Sequence, residues 1–163
     1  MSIGPAWTGS TFLQSLPEAP SGDIVESWSI ASLQGIGVIR SSLKTPEEAP
    51  KQGQEGAPDA WLEVHPFAVP AIDGLRAGDE IIVLTWLHQG KRDVLKVHPR
   101  GDSRNPLTGV FATRSPDRPN PLGLHRVTVR RVDGSRLLVG PIEAIDGSPV
   151  IDIKPVLTGV EDF

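Results

Sequence analysis

Apolar and polar positions along this chain recur with the period of strands rather than helices. Leu124 to Val132 (LHRVTVRRV) alternates apolar with polar side chains, the mark of a strand with one buried face. Glu80 to His88 (EIIVLTWLH) is mostly apolar and β-branched and reads as a buried strand, and Asp93 to His98 continues the strand pattern. Gly35 to Ser41 (GIGVIRS) and Ala60 to Val64 (AWLEV) read as two earlier strands, and Gly109 to Thr113 (GVFAT) as a short one. Phe67 to Leu75 predicts one or two helical turns interrupted by Pro70. Asp133-Gly134 ahead of Arg136 to Val139 predicts a hairpin, and Pro141 to Ile145, Asp146-Gly147 and Val150 to Ile153 predict another. The expected fold is mainly all-β: a small antiparallel β-barrel with long loops and little helix. Its first and last strands should close near each other, because a barrel removes free sheet edges.

Residues 1–34 mix Gly, Pro, Ser and Thr with scattered Trp7, Phe12 and Trp28 and show no period, so they are expected to form a partly ordered arm. Residues 35–163 are expected to form a single barrel domain, with no internal repeat and no second domain. Thr45 to Asp59 is a long Pro-, Gly- and Gln-rich loop, and long loops in compact domains often carry function. Gly (17 residues) and Pro (16) are abundant, as expected of short strands joined by tight turns. There is no cysteine, which excludes disulfides, thiolate zinc sites and cysteine nucleophiles. The N-terminus has no charged segment followed by an apolar run, and no apolar stretch is long enough to span a bilayer. A soluble cytoplasmic protein with no membrane partner is therefore the expectation.

The formal net charge is −4, yet the charge is uneven. Residues 91–131 hold 10 of the 16 Lys and Arg but only 3 of the 20 acids. An acidic protein with one basic segment can still attract a polyanion locally; the plainer alternative is a solvated basic face. Gly35-Ile36-Gly37 begins a dinucleotide fingerprint, but Arg40 stands at the third glycine and no helix is expected to follow. There is no P-loop and no GxSxG elbow. His65, His88, His98 and His125 form no helical metal pair, so no metal is expected. Arg100-Gly101-Asp102 matches an adhesion tripeptide by chance and belongs to a longer loop.

Residues 101–126 (GDSRNPLTGVFATRSPDRPNPLGLHR) carry the most information. Pro116, Pro119 and Pro121 hold the backbone extended, and Gly109 and Gly123 permit close approach. The stiff loop projects Arg114, Arg118 and Asn120, tools for recognising phosphates, carboxylates and base edges. The alternative is a stiff connection whose arginines pair with local acids.

GVFATRSPDRPNPLGL at Gly109–Leu124 resembles the hallmark of the TrmO/YaeB-like family, tRNA methyltransferases acting on N6-threonylcarbamoyladenosine beside the anticodon. GVIRS at Gly37–Ser41, Pro50-Lys51-Gln52, Leu87-His88 and DGSPVIDIKP at Asp146–Pro155 follow in the family order, so the resemblance covers about residues 35–157. It implies a small β-barrel, S-adenosylmethionine as methyl donor, and a homodimer with the cofactor near the subunit interface. Carried over by position, cofactor contacts fall on Gln52, Gly53, His88, Gln89, Arg114, Leu124, Asp146, Gly147, Ser148 and Pro149. Arg114 suits the cofactor carboxylate, the Asp146–Pro149 turn and the Leu124 backbone suit the adenine edge, and the Leu124 side chain excludes water.

Lys51 stands where the family commonly has Arg, Asp117 where an apolar or aromatic residue is usual, and His125 where a small hydroxyl residue is common. Ser148 replaces Thr, the arm is extra, and the C-terminal domain of longer members is expected to be missing. The implied reaction moves a methyl group from sulfonium to nitrogen. Asp152 and Asp146 are the candidate bases; the alternative for Asp152 is a structural partner of Arg118 or Lys154. Arg118 and Asn120 are expected to position substrate or the cofactor loop, and the basic segment to meet tRNA anticodon-stem phosphates. The alternatives are a methyltransferase on another small or nucleoside acceptor, and a non-catalytic S-adenosylmethionine-binding or RNA-binding module.

Overall fold

The computed structural model describes residues 32–157 and 159; the reading of residues 1–34 as an arm falls almost entirely outside them. Among the described residues eight strands form: β1 (Gly37–Arg40), β2 (Ala60–Val64), β3 (Glu80–Trp86), β4 (Lys96–Val97), β5 (Thr108–Gly109), β6 (Leu122–Asp133), β7 (Arg136–Gly140) and β8 (Pro149–Pro155). Six of them close into a barrel in the order β1-β2-β7-β6-β3-β8, and every pairing is antiparallel. β1 pairs with β8 through Gly37↔Val150 and Val38↔Pro149, so the first and last strands close the barrel as expected. Among the described residues there is no α-helix, only short 3-10 turns.

Alternation sets the inside of the barrel. Ile39, Leu62, Val64, Ile81, Val83, Val127, Val129, Leu137, Val139 and Val150 are buried and form one cluster. β3 is apolar along its length, but only Ile81, Val83 and Thr85 are fully buried, while Ile82, Leu84 and Trp86 on the other face are half-exposed. It is thus a one-faced barrel strand, not a strand buried on both faces. β6 and β7 join through Gly134-Ser135, where Gly134 has φ +59°, a conformation suited to glycine in a tight hairpin.

Three expectations change. Asp93–His98 shortens to β4, and Gly109–Thr113 is not a strand: β5 ends at Gly109, and Val110–Ala112 turns into a 3-10 helix closed by Thr113 N–H on the Val110 carbonyl. The second hairpin does not form. Pro141–Ile145 is a crossing segment whose backbone is claimed elsewhere: Ile142 N–H donates to the Pro58 carbonyl and Asp146 N–H to the Leu43 carbonyl. Ile142 and Ala144 are buried in the barrel cluster, so the segment helps fill the core rather than pairing with β8. Phe67–Leu75 is a 3-10 helix at Pro66–Ile72 with Pro70 inside it.

Candidate functional site

A hollow of about 170 Å³ opens where the Gln52–Glu55 loop meets β6 and the crossing segment; Gln52, Gly53, Gln54, Arg114, Leu124, His125, Arg126 and Glu143 line it. Four of the residues marked by the motifs, Gln52, Gly53, Arg114 and Leu124, meet here from three separate stretches of chain. Gly53 has no side chain because none fits. A Cβ there would come 2.8 Å from the Pro141 carbonyl oxygen and 3.1 Å from Glu143 Oε2.

Glu143 carried no motif and was missed in the sequence. The available signal was an acid inside the apolar run Pro141–Ile145, directly ahead of the Asp146 turn. Its Oε1 lies 2.9 Å from His125 Nδ1, an ion-pair contact that is not an in-line hydrogen bond. His125 is almost fully buried, and its Nε2 lies 2.8 Å from Thr85 Oγ1. Burial pushes the Glu143 carboxyl up. The contact and charge of His125, a backbone N–H and the charge of Arg114 outweigh it and hold the group below the ordinary carboxylate range.

The loop from Gly109 to Asn120 is held from within. Arg118 Nε donates to the Ser115 carbonyl at 2.8 Å, and its Nη2 donates to the carbonyls of Val110, at 3.0 Å, and Thr113. Arg118 therefore staples the turn that presents Arg114, through backbone carbonyls rather than local acids. Asn120 Oδ1 accepts from Arg92 at 3.4 Å, and the Arg92 guanidinium sits over the Trp86 ring.

The remaining marked residues lie off this hollow. His88 and Gln89 follow β3; His88 is half-buried, its Nδ1 has no protein partner, and burial holds its pKa below the usual value. Asp146 is tied to the loop after β1: Oδ1 accepts from Ser41 N–H at 3.0 Å and Oδ2 lies 3.0 Å from Lys44 Nζ. Burial pushes Asp146 up, but Lys44, the Ser41 N–H and the charge of Arg40 prevail and hold it low. Gly147 has φ +79°, Ser148 is buried with an unpartnered Oγ, and Pro149 starts β8. Asp152 sits opposite Leu84 on β8, pairs with Lys154 at 3.0 Å and accepts from the backbone N–H of Ile153. Among the described residues no acid and histidine cluster fit to hold a metal occurs, and no helix is long and apolar enough to cross a membrane.

The chain is 43% identical over 131 residues to a probable S-adenosyl-L-methionine-binding protein of Methanothermobacter thermautotrophicus, covering 80% of this chain and 93% of that one. It is 46% identical over 125 residues to an S-adenosyl-L-methionine-binding protein of Archaeoglobus fulgidus, covering 75% and 86%. The crystal structure of TrmO from Pseudomonas aeruginosa superposes with a TM-score of 0.64 at 32% identity, over 83% of this chain and 61% of that one. The chain thus spans about three fifths of that solved structure. The model of the tRNA-methyltransferase O N-terminal domain matches residues 38–162, and the chain belongs to that family.

Proposed function

We propose that this domain methylates the N6 nitrogen of threonylcarbamoyladenosine in a tRNA anticodon loop, with S-adenosylmethionine as donor. The observation that carries the reading is the hollow, where Gln52, Gly53, Arg114 and Leu124 converge in a chain of a methyltransferase family. The names of the relatives, as proteins that bind S-adenosylmethionine, support the donor.

The residues present fit such a ligand. The hollow offers two guanidiniums, an imidazole, a carboxylate, two side-chain amides and the apolar wall of Leu124. Two further buried polar atoms, His88 Nδ1 and Ser148 Oγ, have no protein partner, and buried polar groups in native proteins rarely stay so. Both belong to positions marked for the cofactor. Bound S-adenosylmethionine supplies a methyl group on a sulfonium whose departure leaves a neutral thioether.

The chain's own contribution is placement. Arg118 holds the loop that aims Arg114, and Asn120 is held by Arg92. The N6 lone pair is delocalised, so the acceptor gains from losing its proton; of the candidate bases Asp152 and Asp146, Asp152 is already engaged as a partner of Lys154, which favours its structural role. Lys91, Lys96, Arg104 and Arg130 are exposed and suit tRNA phosphates. Leu95, Leu107 and Phe111 are exposed on the stretch between β3 and β6, Phe111 at 82%, and suit burial against a second copy of the chain in a homodimer.

The test is methyl transfer. The protein is incubated with isotope-labelled S-adenosylmethionine and total bacterial tRNA, and the digested nucleosides are read by mass spectrometry. Label on N6-methylated threonylcarbamoyladenosine is expected. Cofactor binding without label on any tRNA nucleoside would overturn the acceptor and move the reading to another acceptor or a sensing module.

A further inference from the structure

Glu143 is a charged residue of the hollow that no motif marks. The Glu143 side chain is only 22% exposed, is held as a carboxylate, and meets the backbone of Gly53 on one side and buried His125 on the other. Carboxylates so enclosed require compensating partners; His125 meets Oε1 at ion-pair distance and a backbone N–H adds a second contact. Oε2 is the oxygen nearest Gly53, at the hollow. Of the arginines lining the hollow, Arg126 is engaged by Glu80 at 2.7 Å, while Arg114 is close enough for its charge to act on Glu143.

The size of the hollow limits what enters. About 170 Å³ is small beside the ~300 Å³ or more of most small-molecule sites, so it takes one end of a ligand rather than a whole nucleoside cofactor. A guanidinium and a carboxylate on the walls of one small polar space match an α-amino acid, whose ammonium and carboxylate leave the same carbon.

We propose that Glu143 receives the α-ammonium of the amino-acid end of S-adenosylmethionine while Arg114 receives its carboxylate, and that buried His125 is a positioning residue that holds Glu143 in place. This rests on the reading that the chain binds S-adenosylmethionine. The geometry behind it is continuous: Thr85 Oγ1 contacts His125 Nε2, His125 Nδ1 contacts Glu143 Oε1, and Glu143 lines the hollow. Gly123 keeps that chain tight, since a Cβ there would fall 2.5 Å from Thr85 Oγ1 and 2.6 Å from His125 Nε2.

The experiment is calorimetric binding of three ligands to wild type and to Glu143→Gln. S-adenosylmethionine has both ammonium and sulfonium, S-adenosylhomocysteine keeps the ammonium alone, and methylthioadenosine has neither ammonium nor carboxylate. Glu143→Gln is expected to weaken the first two by about tenfold or more and methylthioadenosine by less than about twofold. Equal losses for all three, or no loss, overturn the proposal. A loss confined to S-adenosylmethionine assigns Glu143 to the sulfonium and overturns it too.

Des-amino S-adenosylhomocysteine on the wild-type protein asks the same question without a variant. Binding about tenfold weaker than S-adenosylhomocysteine is expected, and equal binding overturns the proposal. His125→Asn is expected to reproduce the ligand-selective loss; an equal loss for methylthioadenosine would reduce His125 to a structural role and overturn its positioning part. Failure of the wild type to bind any of the three removes the cofactor reading itself, and this proposal with it. Normal wild-type binding with an unselective Glu143→Gln removes this proposal alone.

Discussion

The Arg100 guanidinium meets the Glu55 carboxylate at 3.0 and 3.1 Å, across 45 residues of sequence. It ties the 3-10 turn at Pro99–Gly101 to the one at Gly53–Glu55, whose first residue lines the hollow. Arg100 does so from φ +61°, a region non-glycine residues seldom occupy. The pair is well exposed, so its direct contribution to stability is about 1 kcal/mol at most. Arg100→Ala is expected to leave the denaturant midpoint nearly unchanged and to weaken S-adenosylmethionine binding several-fold. Unaltered binding by titration calorimetry would show that the tether does not shape the hollow.

Gly123→Ala tests the packing beneath the site. The added methyl would collide with Thr85 Oγ1, His125 Nε2 and, at 2.9 Å, Leu87 Cδ2. Overpacking of this kind costs about 1–3 kcal/mol, read from urea unfolding. Thr85→Ala in the same chain removes one of the three obstructing atoms and should recover part of the loss. Strict additivity of the two substitutions would sink the account.

Arg118→Ala deletes bonds to the carbonyls of Ser115, Val110 and Thr113 at once. Charged hydrogen bonds contribute about 1.5–3 kcal/mol each, and here the loss falls on one loop rather than on the barrel. Limited proteolysis should open new cleavage within residues 110–120 while the barrel's amide protection is retained. A global fall in amide protection would place Arg118 in the barrel's own stability.

Asp152→Asn separates two roles. The carboxylate pairs with Lys154 and bonds to the Ile153 N–H, contacts that a structural surface acid makes. Loss of a general base costs about 10²–10⁴-fold in rate, whereas loss of an exposed ion pair costs little. The expected outcome in single-turnover methyl transfer is a change of less than about threefold. A hundredfold fall would restore Asp152 as the base.

The pH dependence of stability follows from Glu143. Its folded pKa lies below the ordinary 4.5, so its contribution is present above that value and is lost as pH falls through the folded pKa. Wild type should lose stability below about pH 4.5 more steeply than Glu143→Gln, with the difference between the two curves flat above it. Parallel curves across that window would show that His125 and Arg114 do not hold the carboxylate charged.

Much of the architecture was legible because it is local. Alternation in Leu124–Val132, the bounds of Ala60–Val64 and the glycine turn between β6 and β7 follow from side-chain period and backbone preference, which each segment carries by itself. The long motif marked Arg114 and Leu124, and Gln52 and Gly53 came from a second, short one; these residues do share a hollow. Pro141–Ile145 has an apolar pattern that suits a strand, but burial against the barrel and donation from Ile142 to Pro58 and from the next residue, Asp146, to Leu43 decide otherwise. Gly109–Thr113 failed likewise, its turn being set by carbonyls that Arg118 gathers from across the loop.

The sequence by itself determined the fold class, the main strands and the family, since these rest on short-range periodicity and contiguous motifs. Only the tertiary structure decided which strands are neighbours around the barrel, and that Glu143 and His125, eighteen positions apart, share one buried contact beside Arg114. The physical reason is that charge pairing and burial depend on distance in space, and the crossing segment after β7 lies beside β6, bringing together groups that no local pattern relates.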